Sequence, residues 1–146
     1  MIQPFPKTLA DDLERFVYAE APIFETALTE LQAGEKRTHW MWYVFPQLRG
    51  LGRSENSQYF GLASLAEARA YLAHPILAPM LEACTKAVID AKAASLSALF
   101  GFPDDQKFIA SMTLFEAATR TPDSLFARAL DTWNSGRRDP LTLARL

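Results

Sequence analysis

Residues 75 to 88, Pro-Ile-Leu-Ala-Pro-Met-Leu-Glu-Ala-Cys-Thr-Lys-Ala-Val, place apolar side chains at Ile76, Leu77, Met80, Leu81, Cys84 and Val88. Steps of three and four put all six on one face of an α-helix, whereas a half-buried strand would alternate. Pro75 suits the first turn of that helix. The same spacing recurs on both sides. Upstream, Thr8 and Asp11 read as a capping box ahead of Leu13, Phe16 and Val17. Pro22 breaks that helix, and Ile23, Phe24, Ala27, Leu28 and Leu31 form a second stripe that Gly34 ends. Thr38 is placed to cap a short aromatic helix closed by Pro46, and Ser54 to Tyr59 reads as one more helical turn. Ser64 and Glu67 repeat the capping box before a helix reaching Leu72. Downstream, Ser95 caps a short helix closed by Gly101, and Pro103, Asp104 and Asp105 open another. Pro122 and Asp139-Pro140 start the last two. Strand alternation is scarce, and there is no repeat or linker. The expectation is an all-α chain, a single compact multihelical domain of about seven to eight helices over residues 1–146.

Composition supports a packed core. Hydrophobic residues make up 49% of 146 and charged residues 22%, an ordinary globular mixture. The net charge of −2 argues against a broad nucleic-acid footprint, which needs basic excess, although one local basic patch could still hold an anion. Cys84 is the single cysteine, so neither an internal disulfide nor a thiolate-rich metal site is available. The start of the chain lacks the pattern of a signal peptide, and no apolar run of about 18 residues occurs. These features lead to the expectation of a cytoplasmic protein without a membrane partner.

Chemistry concentrates between Thr38 and Arg53. Two of the three tryptophans, Trp40 and Trp42, stand beside His39, and Gln47, Arg49 and Arg53 follow on a loop containing Gly50 and Gly52. Aromatic faces can stack on a flat ligand, and arginine can clamp an anion in a bidentate fork. In a helix over 39–45, His39, Trp42 and Tyr43 share one side and Trp40 and Val44 another. That crowding equally suits a helix buried on nearly all sides, its indoles serving as core. The Gly-x-Gly lacks the strand-turn-helix setting of a dinucleotide fingerprint. A second candidate lies on the helix after Pro103, where Asp104, Lys107 and Ser111 form one polar stripe beside the core-facing Phe108, Met112 and Phe115. Lysine with serine can support nucleophilic or general-base chemistry. Equally, Lys107 can simply pair with a first-turn acid. His74 reads as a cap-like structural group and Cys84 as a small buried residue.

The run Lys36-Arg37-Thr38-His39-Trp40-Met41-Trp42-Tyr43-Val44-Phe45-Pro46-Gln47-Leu48-Arg49-Gly50-Leu51-Gly52 strongly resembles the domain-of-unknown-function family numbered 1810. The resemblance continues through Leu65–Pro75, Phe100–Lys107 and Ser111–Phe115, and closes near Gly136, Asp139 and Thr142-Leu143. It implies an all-α bacterial fold with no settled activity or cofactor. The label calpastatin, sometimes attached to such proteins, conflicts with this composition, since an inhibitor of that kind is polar and disordered. Thr38 and Ala110 stand where the family commonly has serine, and Met80 where it commonly has arginine.

Two functions are expected. In the first, the motif blocks converge on a pocket for a small anionic ligand, nucleotide-like or phosphorylated, with enzymatic action left open. Trp40 or Trp42 would stack, Arg49 and Arg53 would hold the anion, and His39 with Lys107 would handle protons or charge, with Gln47 and Ser111 as further candidate ligand-binding residues. In the second, a non-catalytic interaction module meets a protein partner through the loop from Gln47 to Arg53, on a flat, mostly apolar patch.

Overall fold

The structure is a computed structural model that describes residues 12–146, so the Thr8–Asp11 capping box lies outside the described residues. Ten helices follow one another there: α1 (Glu14–Glu20), α2 (Phe24–Ala33), α3 (Met41–Val44), α4 (Glu55–Phe60), α5 (Leu65–Ala73), α6 (Leu77–Ile89), α7 (Leu96–Phe100), α8 (Asp104–Thr119), α9 (Leu125–Asn134) and α10 (Pro140–Leu143). Six have seven residues or more. The other four are short turns, which is why the number exceeds seven to eight. Among the described residues the backbone makes no sheet, only an isolated parallel bridge between Leu48 and Leu62.

Serine and aspartate set most of the helix starts. Ser54, Ser64, Ser95, Ser124 and Asp139 each accept the backbone N–H three residues on, satisfying a donor that a helix start leaves free. His74 acts as expected, its Nδ1 accepting from the N–H of Ile76 and Leu77 at 3.1 and 3.2 Å. Three expectations shift. Pro75 lies ahead of α6, whose first residue is Leu77. Pro122 lies in the turn before α9, which Ser124 caps. Thr38 caps nothing, because α3 begins at Met41 with Trp40 at the cap position; the Thr38 hydroxyl donates to Glu30.

The middle of α8 is the centre of the molecule. From Phe108 to Phe115 every side chain except Ile109 is buried, because α5, α7, α9 and α10 all pack around it. Phe108 lies edge-on to Phe45 at 5.0 Å and stacks on Phe100 at 5.1 Å. Helix α6 buries Leu77, Leu81, Cys84 and Val88 against α2 and α9, four of the six stripe residues read from the spacing; Ile76 is exposed ahead of the helix and Met80 is half-buried. Trp133 ties α9 to that helix by donating to the Val88 carbonyl at 2.8 Å. Burial, then the charge of Glu20, pushes the Cys84 thiol up to about 12, consistent with an inert packed residue. Among the described residues no single helix is long and apolar enough to cross a membrane.

Glu20, the last residue of α1, is buried beside Tyr71, whose hydroxyl donates to it at 3.1 Å. Burial pushes its carboxyl up to about 8, and the Tyr71 bond opposes that only in part. The same surroundings, burial first and then Glu20, also raise the phenols of Tyr43 and Tyr71.

Candidate functional site

The aromatic block is held by a second buried glutamate. Gly34, with φ of 82°, ends α2 and turns the chain back over its last turn. Glu30 there accepts the N–H of Arg37 at 2.8 Å, the N–H of Thr38 at 3.1 Å, the Thr38 hydroxyl at 2.6 Å and the Trp40 indole at 3.0 Å. Burial alone would raise this carboxyl. The four hydrogen bonds, led by the Thr38 hydroxyl, outweigh it and hold the group at about 2. Lys36 lies 5.0 Å from the centre of the Trp40 ring and pairs with Asp104 at 2.9 Å. Asp104 in turn lies 3.8 Å from Lys107, whose ammonium is 5.5 Å from the centre of the Trp42 ring. Acids, lysines and indoles therefore alternate from α2 to the start of α8.

This arrangement separates the two tryptophans. Trp40 is fully buried with its N–H satisfied by Glu30, so it is core and offers no stacking face. Trp42 is half-buried, and its Nε1 is buried without a partner among the described residues. The helical split read from the sequence holds, with Trp40 and Val44 inward and His39, Trp42 and Tyr43 outward. Burial on nearly all sides does not hold, because His39 is exposed and α3 is only four residues long.

Trp42 opens onto a cleft. Two hollows share Gln47 and Lys107. The narrow one, about 10 Å³, is walled by Met41, Trp42, Phe45, Ser57, Phe60 and Gly61, with room for about one water molecule. The wider one, about 200 Å³, adds Leu51, Gly52, Pro103, Gln106, Ala110, Asp139 and Leu141. Gly52 is required where the loop meets α4, since a Cβ there would lie 2.5 Å from the Ser57 hydroxyl. The loop, the first half of α8 and the start of α10 thus converge, three of the blocks that carry the family resemblance. Ala110 is in the wall; Met80, on α6, is not.

Trp42, Gln47 and Lys107 are the site candidates brought together. His39 is exposed and lines neither hollow, its carbonyl accepting the Tyr43 hydroxyl at 3.4 Å. Arg49 donates to the Gln58 carbonyl at 2.9 Å and borders a separate hollow shared with Arg145. Arg53 is exposed, and its carbonyl accepts from Gln58 at 3.3 Å. Ser111 is fully buried, its hydroxyl unpartnered among the described residues. No hydrogen bond joins it to Lys107, whose nearest acid is Asp104, the first-turn pairing expected of it. Gln106 and Asp139 were not singled out from the sequence. Asp139 reads there only as a helix start, and nothing local links it to residue 107. Among the described residues no three His, Cys, Asp or Glu side chains are grouped as a metal site requires.

The described residues make an all-α body with a cleft of mixed polarity between a loop and two helices. The model of the family described as "Protein of unknown function (DUF1810)" matches residues 10–146, and the chain belongs to that family. It is similar to the conserved hypothetical protein Rv1873 from Mycobacterium tuberculosis, a crystal structure, with 48% identity and a TM-score of 0.89 over 92% of this chain and 96% of that one. No curated protein matches the chain.

Proposed function

We propose that this is a small-molecule-binding protein whose cleft between residues 47–52, α8 and α10 takes a ligand bearing an anionic group. The observation that carries the reading is the position of Lys107, which lines both hollows beside Gln47. Its ammonium supplies charge, and the amides of Gln47 and Gln106 supply hydrogen bonds. Asp104 does not cancel that charge, because it lies nearer Lys36, at 2.9 against 3.8 Å. A volume of about 200 Å³ is below the roughly 300–1,000 Å³ of drug-sized pockets, so a phosphorylated or carboxylated fragment fits better than a whole nucleotide. Lys107 also covers one face of Trp42, which leaves the indole to shape the narrow end.

His39, Arg49, Arg53 and Ser111 stand outside this reading. A protein partner on the 47–53 loop would meet exposed Arg49, Gly50 and Arg53, a charged surface in place of the flat apolar patch expected of a docking face. A bacterial cytoplasmic setting is part of the proposal, supported by the single cysteine and the mycobacterial relative, and the net charge disfavours nucleic acid.

A thermal-shift series with inorganic phosphate, glycerol 3-phosphate, succinate and AMP tests the binding. A ligand at 100 times its Kd stabilises by about 2.7 kcal/mol, and the shift should vanish in Lys107→Met. A shift that survives in Lys107→Met puts the ligand elsewhere and ends the proposal.

A further inference from the structure

Among the described residues, two charged side chains line the cleft, Lys107 and Asp139, one of each sign. Asp139 is held firmly. Its N–H donates to the Thr113 hydroxyl at 2.9 Å, and its Oδ2 accepts from the N–H and hydroxyl of Thr142 at 2.9 and 2.6 Å. Its Oδ1 makes no hydrogen bond and the carboxylate no ion pair among the described residues. The neighbouring Arg138 is committed to Glu116 and Asp131. A cavity-lining carboxylate with no ion-pair partner of its own is suited to a ligand that brings a cation.

Resting on the binding reading above, we infer that the ligand is a small zwitterion of the amino-acid class. Its anionic group meets Lys107 and the Gln47 and Gln106 amides, and its ammonium meets Asp139. Leu51, Pro103, Ala110 and Leu141 give the space between them an apolar wall suited to methylenes. A dianionic phosphate ester alone would face Asp139 unpaired, like charge against like. The volume suits one amino acid or a short ω-amino acid.

Calorimetry on the full chain tests this with glycine, β-alanine, 4-aminobutyrate, 5-aminopentanoate, L-valine and L-glutamine, each beside its des-amino carboxylic acid. The ω-amino series also measures the span between the two charges. At least one zwitterion should bind tenfold or more tightly than its des-amino partner. Asp139→Asn keeps a helix-capping side chain, so the fold should hold while that preference disappears and des-amino binding stays the same or tightens as the like charge is removed. Lys107→Met should weaken both at least tenfold. Leu141→Trp, a change at an exposed wall position, should weaken zwitterion binding even if Asp139→Asn proves unstable.

Equal affinity for a zwitterion and its des-amino acid overturns the inference, as does a preference that survives Asp139→Asn. So does silence from every zwitterion. In each case the binding reading stands if Lys107→Met abolishes the response to the anions tested above. It falls too if no anion responds.

Discussion

Glu20 and Glu30 are the same residue near the ends of consecutive helices, both buried, and they settle in opposite charge states. Glu20 receives one hydrogen bond, from the Tyr71 hydroxyl, and its carboxyl rises to about 8, so at neutral pH it is mostly protonated. Glu30 receives four and stays ionised, with its carboxyl at about 2. A carboxylate near a helix C-terminus is disfavoured by the helix dipole in both places. Depth and donors act together: Glu20 is the more deeply buried and has one donor, whereas Glu30 lies nearer the surface and has four. The ionised glutamate organises the aromatic block, whereas the protonated one fills the core beside Tyr71 and Cys84.

Removing the Glu30 carboxylate should break this contrast most severely. Glu30→Ala leaves the Trp40 indole, the Thr38 hydroxyl and two backbone N–H groups without their acceptor. It should cost about 3–5 kcal/mol in urea denaturation. A loss under about 1 kcal/mol would mean that Glu30 matters no more than a surface acid.

Acidity should sharpen the contrast next. The folded state holds the Glu20 proton more tightly than the unfolded chain does. That stability is fully present below pH 4.5 and is lost as pH rises from there through about 8. Glu30 behaves in the opposite sense, its contribution present above pH 4.5 and lost as pH falls towards 2. Each limb should slope by at most about 1.4 kcal/mol per pH unit. Denaturation midpoints across pH should therefore fall on both sides of about pH 4.5 where these two groups dominate. Glu20→Gln should flatten only the alkaline limb; an unchanged limb would assign it to other groups.

Smaller effects should come from the donors. Thr38→Val removes the shortest bond to Glu30 and should cost about 1–2 kcal/mol. Tyr71→Phe removes the bond to Glu20 and should cost about 1 kcal/mol at pH 5, while extending the upper end of the alkaline limb to higher pH. If the two substitutions cost the same at pH 5 and neither moves a limb, the difference between the carboxyls lies elsewhere.

Apolar spacing and caps made most of the fold legible. The stripe on α6, the buried face of α8, the caps at Ser64, Ser95 and Asp139 and the end of α2 at Gly34 all follow from local chemistry. Thr38 misled because α3 starts later than expected, with Trp40 at its cap position, and nothing in the residues around Thr38 reveals Glu30 eight positions earlier. The angular split of α3 was also legible, but which side meets the core depends on its neighbours. The cleft was half legible. Trp42, Gln47 and Lys107 come from the two blocks singled out, whereas Asp139 joins them only because α10 packs on α8. His39, Arg49 and Arg53 sit near those residues in sequence and point elsewhere in space.

The two-residue bridge between Leu48 and Leu62 has a consequence for how the molecule opens. The N–H of Arg49 donates to the Leu62 carbonyl at 2.7 Å, and the N–H of Leu62 to the Gln47 carbonyl at 2.9 Å. These bonds close the intervening chain into a ring whose ends are pinned to each other. Such a ring can detach as one cooperative unit while the helices behind it stay folded. Amides within 49–60 should then exchange with solvent together, ahead of those in α8. Length changes in that ring should also be tolerated so long as its two closing bonds survive.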